Sequence, residues 1–91
     1  MFVVVAYDIK DDRRRNRVLK EMKGWGVRVQ YSVFECDLNE KQIERMVRRL
    51  RRIIKEEEDS IRVYLIREKE RVKIRIIGQG EITRFEDVYV I

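Results

Sequence analysis

Asp8 is the residue in this sequence best placed to do chemistry. It follows an almost continuous apolar run, residues 1–7, that is rich in β-branched side chains. The run is too short for a good helix and predicts a central strand buried on both faces, which would hold Asp8 rigidly at its end. A carboxylate in that position suits Mg²⁺, a hard cation that takes oxygen ligands and keeps several waters. A helix-capping or turn role for Asp8 is the alternative.

A twofold dimer would strengthen such a metal site, because one Asp alone holds Mg²⁺ poorly. If the first strands of two protomers face each other, both Asp8 carboxylates bracket a metal ion on the axis. The ion then polarises a phosphoryl oxygen and generates a nucleophilic water at moderate pH. The first hypothesis is therefore a dimeric, metal-dependent phosphodiesterase.

Basic residues dominate the first half of the chain. Residues 10–55 hold 15 basic and 7 acidic side chains, whereas the whole chain carries a net charge of +5. Arg13, Arg14, Arg15 and Arg17 open the first predicted helix, whose N-terminus attracts anions, and Arg makes bidentate contacts with phosphate. This charge favours an anionic partner, most often nucleic acid, although a solvated and salt-bridged surface is the alternative. The second hypothesis is a non-catalytic nucleic-acid scaffold.

Several other classes of protein are excluded by composition. The sequence has no His, so a His metal site or a His general base is impossible. The single Cys36 rules out an internal disulfide and fits a reducing, cytoplasmic compartment. No apolar run approaches the roughly 20 residues of a membrane helix. Residues 24–26 lack the Lys and Ser or Thr of a phosphate-binding loop, and the strand containing Tyr64 lacks the motif of an RNA-recognition module.

The spacing of apolar residues predicts two helices and at least four strands. A helix capped by Asp11 or Asp12 runs to about Lys23, and one capped by Asn39 runs to about Glu56, with an acidic end at residues 56–59 that is expected to fray. Residues 27–36 alternate as one long strand or as two strands of a hairpin. Further strands are predicted at residues 61–66, 72–77 and 87–91, with a charged turn at residues 67–70.

These elements predict one α+β domain, a two-layer sandwich spanning residues 1–91. If residues 27–36 form a hairpin, the order βαββαβ is the ferredoxin-like arrangement. The strands beyond that core would then be free to pair with an exposed sheet edge, for example that of a symmetric partner.

Three stretches carry a resemblance to a known family: Val-Ala-Tyr-Asp-Ile at residues 5–9, Arg-Asn-Arg-Val at residues 15–18 and Gly-Val-Arg-Val-Gln-Tyr-Ser-Val-Phe-Glu at residues 26–35. With the closing stretch at residues 78–91, the sequence resembles the CRISPR-associated Cas2 family over nearly its whole length. The resemblance implies a ferredoxin-like fold and the hairpin reading of residues 27–36. It also implies a homodimer in which the tail, residues 78–91, packs on the partner subunit and adds a strand to its sheet.

The same resemblance implies a function. It points to an endonuclease that needs Mg²⁺ or another divalent cation, cleaves single-stranded RNA or double-stranded DNA, and takes part in spacer acquisition with a larger integrase subunit. Carried over by position, Asp8 is the metal residue and is catalytic together with Tyr7. The positions that match substrate contacts are Arg15, Arg17, Arg28, Ser32 and Phe34. A non-catalytic, dimeric DNA-binding scaffold of the same adaptation complex is the alternative.

Overall fold

The structure, a computed structural model, describes residues 1–85 as a four-stranded sheet with helices. In chain order the elements are β1 (Phe2–Asp8), α1 (Asp12–Met22), β2 (Gly26–Gln30), β3 (Val33–Asp37), α2 (Glu40–Ile53), β4 (Ser60–Ile66) and α3 (Glu68–Arg71). The strand order is β2-β3-β1-β4, and all neighbours are antiparallel. This order, with two crossover helices, confirms the predicted ferredoxin-like α+β fold. Within residues 1–85 no helix is both long and apolar enough to span a membrane.

The core lies between the sheet and the pair of helices α1 and α2. Strand β1 is central, and its residues Val3 and Val5 are completely buried. Val5 lies opposite Phe34 on β3, so both side chains point to the same face of the sheet. The helices close this face with buried residues that include Val18, Met22, Met46 and Leu50. The opposite face is not covered by α1 or α2 and is called the open face below, although Arg71 and Phe85 cover Phe2 at one end of it.

Residues 27–36 form a hairpin, which settles the alternative that the sequence left open. The turn contains no Gly, Asn or Asp, and its carbonyl groups are satisfied by other means. Arg28 donates two hydrogen bonds to the carbonyl of Tyr31, at 3.0 and 2.6 Å. The backbone N–H of Tyr7 donates to the carbonyl of Ser32 at 3.0 Å, which fixes the turn to the central strand. The turn is thus held by the Arg28 side chain and by a long-range hydrogen bond to β1, and not by the residue types typical of tight turns.

Both predicted helix caps are confirmed. The Asp11 side chain accepts from the backbone N–H of Arg14 at 2.9 Å. Asn39 and Gln42 form a reciprocal capping box with two bonds of 2.9 Å. The predicted extension of α2 to about Glu56 was wrong, because α2 ends at Ile53 and the next residue is already extended.

Asp59 is the reason that the chain turns there. Its side chain is completely buried, and its two oxygens accept from the backbone N–H groups of Lys10 and Lys55, each at 3.0 Å. The Arg14 guanidinium donates to the same carboxylate, at 2.8 and 3.3 Å. We call Asp59, Arg14 and these two N–H groups the Asp59 clamp. It joins the turn after β1 to the first turn of α1 and to the turn before β4.

The clamp overturns two expectations from the sequence. Residues 56–59 are not a frayed helix end, because Asp59 is a buried acceptor. Arg14, one of the arginines expected to face phosphate, is turned inward and also pairs with Glu58 at 2.8 Å. A buried carboxylate needs such partners, since an unpaired buried charge is very costly.

The strand predicted at residues 72–77 was also wrong. Short helix α3 replaces the predicted charged turn, and the backbone N–H groups of Lys73 and Ile74 donate to carbonyls of the preceding turn instead of to a strand. Farther along, the ring of Phe85 packs edge-on against Phe2 with 6.0 Å between centroids. The guanidinium of Arg71 lies over the same two rings. The strand predicted at residues 87–91 lies outside the described residues.

Replacing Asp59 with Asn tests the clamp. Asn has nearly the same shape but no charge, and its single acceptor oxygen cannot serve all the donors. We expect Asp59→Asn to lower the free energy of unfolding by about 2–3 kcal/mol, because each hydrogen bond to a charged group contributes about 1.5–3 kcal/mol. Urea denaturation measures the change. Glu57→Gln, at an exposed acid in the same turn, is the control and should change stability by about 0.5 kcal/mol or less.

The effect of Asp59→Asn should also depend on pH. The hydrogen bond from Arg14, aided by the two backbone N–H groups and opposed by burial, holds the pKa of the Asp59 carboxyl well below its usual range. A lowered pKa in the folded state gives stability that is present above the unfolded pKa of about 3.9 and is lost as the pH falls. The stability difference between the native chain and Asp59→Asn should therefore shrink below about pH 4. An equal difference from pH 7 down to acidic pH would contradict the role given to this carboxylate.

Candidate functional site

Asp8 is presented to solvent at the end of β1. Its side chain is 72% exposed, and one carboxylate oxygen lies 3.5 Å from the Lys10 ammonium group. Tyr7, one residue earlier, is buried. Because successive residues of a strand point to opposite faces, Asp8 belongs to the open face and Tyr7 to the helix-covered face. The carboxylate is therefore accessible to a ligand or to a second copy of the chain.

The ligands around Asp8 determine whether a cation fits. Within residues 1–85, no group of three or more Cys, Asp or Glu side chains is close enough together to hold a metal ion. The described residues of one chain therefore do not surround Asp8 with a full set of ligands. Mg²⁺ nevertheless binds commonly through one or two carboxylates with waters and substrate phosphate oxygens. The exposed Asp8 fits that pattern if a second chain or the substrate supplies further oxygens.

Tyr7 lies directly beneath the hairpin turn. Its ring stacks on Phe34 with 6.4 Å between centroids and 26° between planes. Burial raises the pKa of the Tyr7 hydroxyl, and the nearby guanidinium groups of Arg28 and Arg15 oppose this rise. A phenol with a raised pKa is protonated at neutral pH and acts as a hydrogen-bond donor. The structure thus suits Tyr7 to donating a hydrogen bond more than to accepting a proton.

Phe34 is one of the predicted substrate-binding residues. It shares a face with Arg28, its cross-strand neighbour, as the alternation predicted. However, the side chain of Phe34 is fully buried beneath the helices, so it is not accessible for direct contact in this structure, and its role in substrate binding stays a prediction. Phe34 supports the ring of Tyr7.

Arg15, Arg28 and Ser32 lie around Tyr7 at the same end of the sheet. Arg15 donates to the carbonyl of Ile9 at 3.0 Å and pairs with Asp12. Arg28 is exposed and is held on the carbonyl of Tyr31. Both guanidinium groups are close enough to Tyr7 to affect its pKa. The structure therefore brings these predicted contact residues together beside β1.

Arg17 lies on another surface. Two residues along a helix correspond to a rotation of about 200°, so Arg17 and Arg15 face nearly opposite directions. Arg17 lines a groove of about 590 Å³ between α1 and α2. We call this the basic groove, since Lys20, Arg49 and Arg52 line it as well. In the sequence, this groove could have been found from two pairs of basic residues three positions apart, Arg17 with Lys20 and Arg49 with Arg52, since residues three apart on a helix share a face.

One acidic side chain stabilises the wall of the basic groove. Glu21 accepts from Arg49 at 2.6 Å and from the indole N–H of Trp25 at 2.8 Å. The hydrogen bond from Arg49 is the main reason that the pKa of Glu21 is lowered. The pairing of α1 with α2 thereby brings the two basic rows to one groove, which the sequence alone did not reveal.

The fold and the arginine-lined end of β1 define a small ferredoxin-like protein with surfaces suited to phosphate. The sequence profile of the family described as CRISPR associated protein Cas2 matches residues 1–74. A Synechocystis protein named CRISPR-associated endoribonuclease Cas2 3 is 43% identical over 81 residues, which cover 89% of this chain and 88% of that protein. This chain therefore belongs to the Cas2 family, which confirms the resemblance seen in the sequence.

Solved structures agree with that assignment. The crystal structure of a hypothetical protein from Thermus thermophilus has a TM-score of 0.80 and 39% identity, with 88% of this chain and 93% of that chain covered. The crystal structure of Streptococcus pyogenes Cas2 has a TM-score of 0.75 and 35% identity, with 86% of this chain and 100% of that chain covered.

Proposed function

We propose that this chain is a CRISPR-associated endonuclease that works as a homodimer and hydrolyses phosphodiester bonds with Mg²⁺ or another divalent cation. The observation that carries the proposal is the exposed carboxylate of Asp8 at the rigid end of β1. The substrate is single-stranded RNA, double-stranded DNA or both. The name of the Synechocystis relative, an endoribonuclease, supports the nuclease activity. The cellular role is spacer acquisition with an integrase subunit.

The open face of the sheet supports the homodimer. Val27, Val29 and Tyr64 are between 37 and 47% exposed there. Val27 and Val4 both lie opposite Glu35, and Tyr64 lies opposite Val4, so these apolar side chains share one face with Asp8. A second copy packed on this face buries the apolar patch and brings two Asp8 carboxylates to the same interface.

The tail, residues 78–91, completes the proposed dimer by packing on the partner. In the single chain, Phe85 lies on its own Phe2, and the Thr83 hydroxyl and N–H donate to its own Glu35. Packing on the partner therefore requires these contacts to be exchanged for equivalent contacts with the second copy. Such an exchange preserves the chemistry of each contact and changes only the chain that provides it.

Each residue near the end of β1 has a role in the proposed reaction. The Asp8 carboxylates of two chains hold the cation, which when bound supplies Lewis-acid polarisation of a phosphoryl oxygen and a more acidic water. Arg15 and Arg28 bind phosphate oxygens and orient the strand, and Ser32 lies at the turn beside them. The hydroxyl of the largely buried Tyr7 donates a hydrogen bond to a group bound at this end of the sheet.

Asp8→Asn tests the nuclease proposal. Asn keeps the size of the side chain but is a weak ligand for a hard cation, so metal-dependent cleavage should fall by about 100-fold or more, given that Lewis-acid catalysis contributes several kcal/mol. Cleavage of single-stranded RNA and of duplex DNA is measured with and without Mg²⁺. Glu44→Gln, at an exposed acid on α2, is the control that removes one charge elsewhere and should retain full activity.

Circular dichroism and size-exclusion chromatography check that Asp8→Asn folds and dimerises normally. If correctly folded Asp8→Asn cleaves at the rate of the native chain, Asp8 is not the metal residue and the proposal fails.

The basic groove favours a second candidate function, a non-catalytic DNA-binding scaffold of the adaptation complex. Its four basic side chains lie on the helical layer, away from the open face that carries Asp8. A protein with both surfaces can hold duplex DNA on the helices independently of cleavage. The scaffold function and the nuclease function are thus compatible in one chain.

The double variant Arg17→Gln/Arg52→Gln tests the scaffold candidate. Each phosphate contact on duplex DNA contributes about 0.9 to the slope of log affinity against log salt concentration. The double variant should therefore reduce the magnitude of that slope by about 1.8 if both side chains contact phosphate. Duplex binding is measured by fluorescence anisotropy over a salt series. Arg67→Gln, at an exposed residue outside the groove, is the control, and an unchanged slope in the double variant would exclude the groove as a DNA-binding surface.

A further inference from the structure

Tyr31 forms an exposed aromatic surface at the tip of the β2–β3 hairpin. It is 71% exposed, more than any other aromatic residue in the described part of the chain. The carbon at the centre of the Arg28 guanidinium lies 5.1 Å from the centre of the Tyr31 ring. Because the same guanidinium donates two hydrogen bonds to the Tyr31 carbonyl, its position against the ring is fixed. A cation therefore supports the ring, most of which is open to solvent.

The surroundings of Tyr31 are positively charged and held in place. The pKa of the Arg15 guanidinium is raised mainly by its hydrogen bond with Asp12 and, to a smaller extent, by the nearby Tyr31 side chain. The next residue, Ser32, is fixed to β1 by the N–H of Tyr7 at 3.0 Å. The turn that carries the ring is thus fixed to the strand that ends at Asp8, and the Arg28 guanidinium lies against the ring. Within that arrangement the arginines suit phosphates and the ring suits an apolar, planar group.

We propose that Tyr31 is a stacking platform for an unpaired nucleotide base. An aromatic side chain binds bases of any identity through their flat faces, and neighbouring arginines bind the backbone on either side of the base. A base inside a duplex is already stacked and paired, so it cannot lie on this ring. Tyr31 therefore gives the chain a preference for single-stranded nucleic acid over duplex. The inference rests on the proposed function, because it requires that the chain acts on nucleic acid. It adds Tyr31 as a binding residue and single-stranded nucleic acid as the preferred ligand.

This role is separable from that of the basic groove. The groove contains four basic residues and no aromatic residue among its lining side chains, so it suits a phosphate backbone of either kind. Tyr31 adds the flat apolar surface that the groove lacks. Tyr31→Ala should consequently weaken binding to single strands alone, whereas Arg17→Gln/Arg52→Gln should weaken binding to any phosphate backbone.

Tyr31→Ala and Tyr31→Phe form the matched pair that tests the platform. Binding is measured by fluorescence anisotropy in EDTA, so that no cleavage occurs, with a short single-stranded RNA, the same strand made abasic, and a DNA duplex. We expect Tyr31→Ala to weaken binding to the single strand about tenfold, in keeping with the measured effect of removing one stacked aromatic residue. Tyr31→Phe keeps the ring and should bind like the native chain. Affinities for the abasic strand and the duplex should change less than about twofold in both variants.

Several outcomes would overturn the inference. An equal loss for the normal strand, the abasic strand and the duplex would mean that Tyr31 only positions Arg28. No loss with Tyr31→Ala, or a loss with Tyr31→Phe, would mean that the ring does not stack on a base. Retention of a native dimer by both variants, seen by size-exclusion chromatography, is required, and its loss in Tyr31→Ala alone would place the ring against the second copy instead.

The experiment also separates this inference from the proposed function. If the native chain binds none of the three ligands, the proposal that it acts on nucleic acid fails, and the platform fails with it. If Tyr31→Ala weakens binding to the normal single strand but not to the abasic strand or the duplex, the platform stands even where cleavage proves not to depend on Asp8.

Discussion

The position of Asp8 depends on the buried carboxylate of Asp59, which is far along the chain but directly precedes Ser60, the cross-strand neighbour of Asp8. Asp59 accepts hydrogen bonds from Lys10, from Lys55 and from Arg14, and so it joins the turn that follows β1 to the turn that precedes β4. A buried charge of this kind is tolerated only when it is fully paired, and removal of one partner is strongly destabilising. The same bonds determine where α2 ends and turn Arg14 inward. Asp8 therefore lies only two residues before Lys10, whose backbone N–H is held by the Asp59 carboxylate.

The sheet divides the chemistry between its two faces. The open face carries Asp8 and an apolar patch, which together suit a symmetric partner and a shared cation. The hairpin edge carries Arg15, Arg28 and Tyr31, which suit a single strand. The helical layer carries the basic groove around Arg17, which suits a phosphate backbone. In the proposed function, duplex binding in the basic groove and cleavage at Asp8 therefore use different surfaces.

The sequence was most informative where structure depends on local rules. The capping box at Asn39 and the Asp11 cap each depend on neighbouring residues, and each appears in the structure as predicted. The apolar run before Asp8 forms the predicted central strand, but its open face is only partly buried and not fully buried as expected. The burial of Phe34 could not be predicted from the alternation of side chains along the strand. Alternation tells which side chains share a face but not which face the helices cover. The Asp59 clamp was missed since two of its three partners, Arg14 and Lys10, are 45 and 49 residues away along the chain. The strand predicted at residues 72–77 failed for a related reason, because alternation alone does not supply a neighbouring strand.

In the proposed function, two chains share one divalent cation between their Asp8 carboxylates. Electron paramagnetic resonance of Mn²⁺, titrated into the protein with a phosphorothioate strand that resists cleavage, measures this stoichiometry directly. We expect one tightly bound Mn²⁺ for two chains, and the loss of that site in Asp8→Asn. One Mn²⁺ for each chain, or a site that survives Asp8→Asn, would contradict the shared metal site.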